Sequence, residues 1–177
     1  MDERERARLR AAIDAAEGRG PAPILSDAAL RALFATTETI AVVGASPRPD
    51  RPSHGVLLAL AAAGWSILPV NPSPAALADG VAGLPCYPSL AAAEASLPRG
   101  RHIDLVDVFR RPEECAEVAR EAVAISARWL WLQLGIVNAE AARIAADSGI
   151  PFVQDRCTAI EIARLGLRAP SHKPRAT

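Results

Sequence analysis

The chain has 177 residues, half of them hydrophobic, and its 20 basic side chains cancel its 20 acidic ones. That length and apolar content suit one folded domain with a proper core and argue against a disordered chain. A zero net charge argues against a general nucleic-acid binder, which shows a basic excess, yet leaves room for a few arginines that meet a small phosphorylated ligand.

The three cysteines, Cys86, Cys115 and Cys157, are widely spaced and odd in number, which fits neither a disulfide framework nor a metal cluster. The first ten residues are charge-rich with no apolar stretch behind them, so no signal peptide is expected. No apolar run approaches the roughly 20 residues that span a bilayer. The expected location is the cytoplasm, with no membrane partner.

In chain order, residues 2–17 alternate Arg with Glu and Asp, and Leu9, Ile13 and Ala16 recur at helical spacing. This predicts an amphipathic helix in an N-terminal arm over residues 1–25, closed by Gly18-Arg19-Gly20-Pro21. Ser26-Asp27 reads as the cap and first turn of a second helix that carries Leu30, Leu33 and Phe34 on one face. It opens the main domain, over residues 26–168.

Residues 39–43 are a strand that stops at Gly44. A loop with Arg48, Arg51 and three prolines leads into an alanine-rich helix over about 53–63, with Gly64 as its C-terminal cap. A second strand, 65–70, ends in Asn71-Pro72, and residues 75–88 read as loop. Ser89 starts a short helix to about Ser96, and a third strand covers 103–109. Pro112 followed by Glu113 and Glu114 suits the first turn of a helix. Cys115, Val118, Ala119, Ala122 and Ile125 form its apolar face. Residues 129–134 are a fourth strand, Asn138 caps a helix that ends at Gly149, and residues 150–153 are a fifth strand. Thr158 and Glu161 match a capping box for a last helix, and the tail from Ala169, over residues 169–177, reads as loose.

Five strands alternating with helices, without hairpin signals, predict an α/β fold: a Rossmann-like, doubly wound parallel sheet. Right-handed crossovers bring every strand end to one edge. That edge gathers Gly44–Ser46, Val70–Pro72, Phe109–Arg111, Gln133–Gly135 and Asp155–Cys157. The dinucleotide fingerprint is incomplete there: Gly44 is followed by Ala45-Ser46-Pro47, and no acid ends the second strand. A nicotinamide cofactor is therefore disfavoured. What remains is a glycine turn before a helix N-terminus, with the Ser46 hydroxyl and two loop arginines, a setting for phosphate.

Several blocks, Gly44-Ala45-Ser46, Arg48 to Ser53, Pro69-Val70-Asn71-Pro72, Cys86 to Leu90, Asp104 to Pro112, Gln133-Leu134-Gly135 and Asp155-Arg156-Cys157, resemble the small bacterial CoA-binding proteins of the YccU type. Their domain is similar to the CoA-binding domain of the succinyl-CoA synthetase α subunit, and the resemblance covers about residues 30–165. It implies coenzyme A in the cleft at the strand ends. It also implies Gly44, Ala45 and Ser46 at the pyrophosphate, and Val70, Asn71 and Pro72 on the nucleotide side. Arg48 and Arg51 would bond phosphate, while Phe109, Arg110, Gln133 and Gly135 would lie along the pantetheine path.

Each of these residues also has a purely structural use: Gly44 as a turn, Arg48, Arg51 and Arg110 as solvated charges, Asn71 as a turn former, Phe109 as core. Cys86 and Cys115 read as packed thiols. Cys157, near the expected position of the CoA thiol, raises a mixed disulfide with CoA as a hypothesis against a default of inert packing. None of His54, His102 and His172 has a recognisable catalytic setting, and no nucleophile–base pair stands out. The expectation is a stand-alone binder of CoA or acyl-CoA rather than an enzyme, with a homodimer left open. The alternatives are a subunit or relative of an NDP-forming acyl-CoA synthetase working with an ATP-binding partner, and an NAD(H)-sensing module.

Overall fold

The structure, a computed structural model, describes residues 25–170. The amphipathic arm read over residues 2–17 and the last seven residues lie outside the described part. In chain order the elements are α1 (Asp27–Ala35), β1 (Thr39–Val43), α2 (Pro52–Ala62), β2 (Ser66–Val70), α3 (Pro74–Asp79) and α4 (Leu90–Ala95). They continue with β3 (Leu105–Val108), a 3₁₀ turn (Pro112–Glu114) that runs into α5 (Cys115–Ala124), β4 (Trp129–Leu132), α6 (Ala139–Asp147), β5 (Phe152–Val153) and α7 (Thr158–Leu165).

The strands form one parallel sheet in the order β2-β1-β3-β4-β5. Every residue of β1 and β3 is buried, because both faces of the sheet are covered. Side chains alternate between two cores. Ala41, Val43, Val106, Val108, Leu130 and Leu132 meet α4, α5 and α6, while Ile40, Val42, Leu105 and Trp131 meet α1, α2 and α7. Phe34 of α1 packs against Trp65 and Trp131, at ring-centroid distances of 5.3 and 5.9 Å. Trp131 is fully buried, and its Nε1 donates to the Arg156 carbonyl at 2.7 Å. Truncating such a ring to alanine costs about 3–5 kcal/mol.

The chain leaves β1 toward β2 and then crosses back to β3 on the other side of β1. The direction of winding thus reverses between β1 and β3, which opens a crevice at their C-terminal ends. No helix among the described residues is long and apolar enough to cross a membrane.

The fold differs locally from the sequence reading. The segment expected as loop after β2 starts with a helix, α3, capped by the Ser73 hydroxyl on Ala76 N (3.3 Å) with Pro74 in its first turn. Serine followed by proline is a helix start, although two more prolines nearby read as loop. Strands β3, β4 and β5 are shorter than read, because apolar residues at their ends continue the core beyond the ladder. Thr158 does not cap α7: Cys157 holds that position without a side-chain bond, and the Thr158 hydroxyl turns inward to the Asp107 carboxylate at 3.0 Å. The partner that overrides the local motif lies across the sheet. Glu161 instead meets Arg156 and Arg164 at 3.0 and 2.7 Å. The chain is also still held at Ala169, whose N–H donates to the Ala63 carbonyl at 3.0 Å.

Candidate functional site at the switch point

The crevice begins at Gly44. Its N–H donates to the Val70 carbonyl (2.8 Å), and the next strand is tied by Phe109 N to the Val43 carbonyl (2.8 Å). Gly44 has φ +84°, and a Cβ there would sit 2.5 Å from the Phe109 carbonyl oxygen. Only glycine fits, on conformation and on space. The loop that follows is braced from several sides. Ser46 N donates to Ser53 Oγ (3.1 Å), Arg48 N to Ser46 Oγ (3.2 Å), and His54 Nδ1 lies 3.0 Å from the Ser46 carbonyl. Asn71 Nδ2 donates to the Ala45 carbonyl at 2.7 Å, and Asn71 Oδ1 accepts from Ser73 N at 2.9 Å.

This bracing aims the N-terminus of α2 into the crevice. Its cap residue, Arg51, makes no side-chain cap bond, Pro52 needs no acceptor, and the first turn holds no acid. The positive end of an 11-residue helix is left for an anion. Beside it lies a cavity of about 500 Å³, within the range of ligand sites. Its wall combines Gly44, Ser46, Arg51 and Ser53 with the apolar Leu134, Ile136 and Ile160, and with Phe109, Gln133 and Cys157. Leu134 and Ile160 are 63% and 55% exposed, unusual for large apolar side chains.

Gln133 is only 3% exposed and stands on a buried polar cluster. Its Nε2 donates to Asp107 Oδ1 (2.6 Å) and to Thr158 Oγ1 (2.7 Å), and the Thr158 hydroxyl donates to Asp107 Oδ2. Burial pushes the Asp107 carboxyl up to about 7, against the two hydrogen bonds that favour its charged form.

Of the residues singled out in the sequence, Gly44, Ser46, Arg51, Phe109 and Gln133 come together in the cavity wall. The other seven stand outside it. Ala45 and Val70 are buried in the core beneath the turn. Arg48 pairs with Asp50 at 2.7 Å on the surface. Asn71 braces the turn through the bonds above, with Pro72 following it toward α3. Arg110 lies against Gly44 and reaches Glu114 at 3.5 Å. Gly135 is exposed, with φ +79°, and its N–H donates to Asp155 Oδ1 at 2.7 Å. The sequence reading missed Pro52, Ser53, Val56, Leu134, Ile136 and Ile160. Ile160 carried a signal, since it lies off the α7 face that buries Ile162 and Leu165.

All three cysteines are free. Burial pushes the Cys115 thiol up to about 11, whereas Cys157 is half-buried in the cavity wall. Among the described residues no group of His, Cys, Asp and Glu is arranged for a metal ion.

Fold and crevice together define a Rossmann-like α/β domain with a ligand-sized cavity at its topological switch point. Residues 38–163 match the family described as CoA binding domain, and the chain belongs to that family. It is 37% identical over 132 residues to the uncharacterized protein YneT of Bacillus subtilis, a match covering 75% of this chain and 90% of that one. It is also similar to a solved Thermus thermophilus protein, cell-free ID.343, with 35% identity and a TM-score of 0.70, covering 80% of this chain and 99% of the other. A more remote likeness, 24% identical with a TM-score of 0.54, is to part of a dinucleotide forming acetyl-coenzyme A synthetase of Ca. Korarchaeum cryptofilum. It covers 70% of this chain and 26% of the synthetase, and shows the fold alone.

Proposed function

We propose that this protein binds coenzyme A or an acyl-CoA in the switch-point cavity and acts as a binding protein rather than a catalyst. The observation that carries the reading is the uncapped, acid-free start of α2 opening onto a cavity next to Gly44, in a chain of the CoA binding domain family. The residues fit the ligand. Where a side chain would collide with Phe109, Gly44 keeps the turn low, so a pyrophosphate can approach the helix dipole. Arg51 supplies a charge-assisted bond and Ser46 a hydroxyl. The apolar part, with Leu134, Ile136 and Ile160, suits the pantetheine arm or an acyl group. When bound, CoA supplies a thiol that carries an acyl group; the protein's own residues bind and orient it.

The binding role rests on the side chains in the wall. Among the described residues, no serine, cysteine or threonine there has a histidine or carboxylate base within bonding distance of its nucleophilic atom and open to the cavity. Three free thiols suit a reducing, cytoplasmic compartment. A second reading, a CoA-binding part that works with an ATP-binding partner, draws on the fold likeness to one quarter of the synthetase.

Calorimetry with CoA, dephospho-CoA and NADH tests the ligand class. CoA binding with a weaker response to dephospho-CoA supports it. Tight NADH binding with no CoA response overturns it. An assay for ADP release with CoA, a carboxylic acid and ATP, with and without proteins captured on the chain, tests the partnered reading.

A further inference from the structure

We propose that Gln133 reads the ligand as a hydrogen-bond acceptor, taking an amide N–H of the pantetheine arm, and that Asp107 and Thr158 are positioning residues that fix this polarity. The inference rests on the CoA reading above and adds to it which atom of Gln133 meets the arm and what holds that atom in place.

A glutamine amide can present either its oxygen or its nitrogen to a ligand, and the choice follows from what holds the other end. With Asp107 ionised, that choice is forced. Asp107 is fully buried, and in its ionised form both carboxylate oxygens can only accept, Oδ1 from Gln133 and Oδ2 from Thr158. Thr158 has one hydroxyl proton and directs it to Asp107 Oδ2, so toward Gln133 it too can only accept. Two acceptors, at 2.6 and 2.7 Å, therefore grip Nε2 and consume both its protons. The oxygen Oε1 is turned away from them. Among the described residues the one buried side-chain polar atom with no partner is Thr39 Oγ1. Oε1 of Gln133, which accepts nothing from the described residues, is thus the atom that reaches the cavity.

A bare acceptor in the cavity wall selects for a donor and repels an acceptor. Phosphate oxygens are all acceptors at neutral pH, so the phosphates are excluded from the Gln133 position and belong with Arg51 and the start of α2. The pantetheine arm carries two secondary amides, each with an N–H donor. The coenzyme is then polarised along the cavity: phosphates on the β1 side, pantetheine N–H over the end of β4, and the thiol continuing toward Leu134 and Ile160.

The test compares CoA with adenosine 3′,5′-bisphosphate, the nucleotide half without the arm, by calorimetry above the titration of Asp107, at a pH of about 8.5. Wild type, Gln133→Met, Thr158→Val and Thr158→Ser are used, with thermal unfolding to confirm that each folds. Gln133→Met is expected to lose CoA affinity roughly tenfold while binding the bisphosphate as wild type does. Thr158→Val is expected to lose about threefold for CoA only, with Thr158→Ser restoring it. Unchanged CoA affinity in Gln133→Met, or an equal loss for both ligands, overturns the proposal. A wild type that binds neither ligand refutes the CoA reading itself, a distinct result. Because Gln133→Met leaves a buried carboxylate short of one donor, a second measurement uses wild type alone. The Gln133 side-chain carbonyl carbon should shift in the nuclear magnetic resonance spectrum on adding CoA and stay in place on adding the bisphosphate. A carbonyl that ignores CoA overturns the proposal.

Discussion

Asp107 makes the stability of this protein depend on pH in a direction opposite to that of a salt-bridged carboxylate. Burial raises its pKa from 3.8 to about 7, and the hydrogen bonds from Gln133 and Thr158 only partly offset this. The folded state therefore holds a proton that the unfolded chain releases between pH 4 and 7. Stability from this group is fully present below the unfolded pKa and is lost as pH rises through the folded one. That rise corresponds to at most about 4 kcal/mol. The perturbation is Asp107→Asn, which keeps the shape and removes the titration. Urea unfolding of both proteins, followed by tryptophan fluorescence, gives the stability difference at each pH. Subtracting the variant cancels the other carboxylates. Wild type minus variant should fall by about 3–4 kcal/mol between pH 4 and pH 8. A difference that stays flat over that range would refute the claim that Asp107 is desolvated.

Other expectations follow from the same geometry. Gly44→Ala places a Cβ 2.5 Å from the Phe109 carbonyl at φ +84°, so it should cost at least about 1–2 kcal/mol and lower the melting temperature by several degrees, seen by calorimetry. Arg51→Ala should weaken CoA binding by about tenfold or more with little change in unfolding, whereas Arg48→Ala, which removes only a surface pair with Asp50, should change affinity by less than about threefold. Iodoacetamide followed by mass spectrometry should label Cys157 before Cys115, because one lies in the cavity wall and the other is buried. Saturating CoA should slow the Cys157 reaction, and unchanged labelling would place the ligand elsewhere.

Much of the architecture was legible in the sequence because each strand carries its own local signature. An apolar run that stops at glycine or proline, as at Gly44 or before Asn71, needs no knowledge of the rest of the chain. So do the serine and asparagine caps at Ser26, Ser89 and Asn138, whose oxygens accept the expected amides. The site was legible only in outline. The switch point follows from strand order, but which side chains enter the cavity depends on packing across the sheet. Thr158 shows why: its sequence context says cap, while a carboxylate that lies 51 residues earlier claims its hydroxyl. Ile160 stayed hidden, and Leu134 stood at the ligand edge without a role, for a related reason. Apolar residues read as core until the neighbouring elements are seen to leave them uncovered.

Asn71 bridges the exits of two adjacent strands, gripping the Ala45 carbonyl with one end and Ser73 with the other. The phosphate turn and the start of α3 are thereby mechanically linked, and strain introduced at Ser73 would be felt at Ser46. Loss of binding after a change at Asn71 would thus report a broken strut as readily as a missing contact, so sensitivity at this position is no guide to where the coenzyme touches the protein.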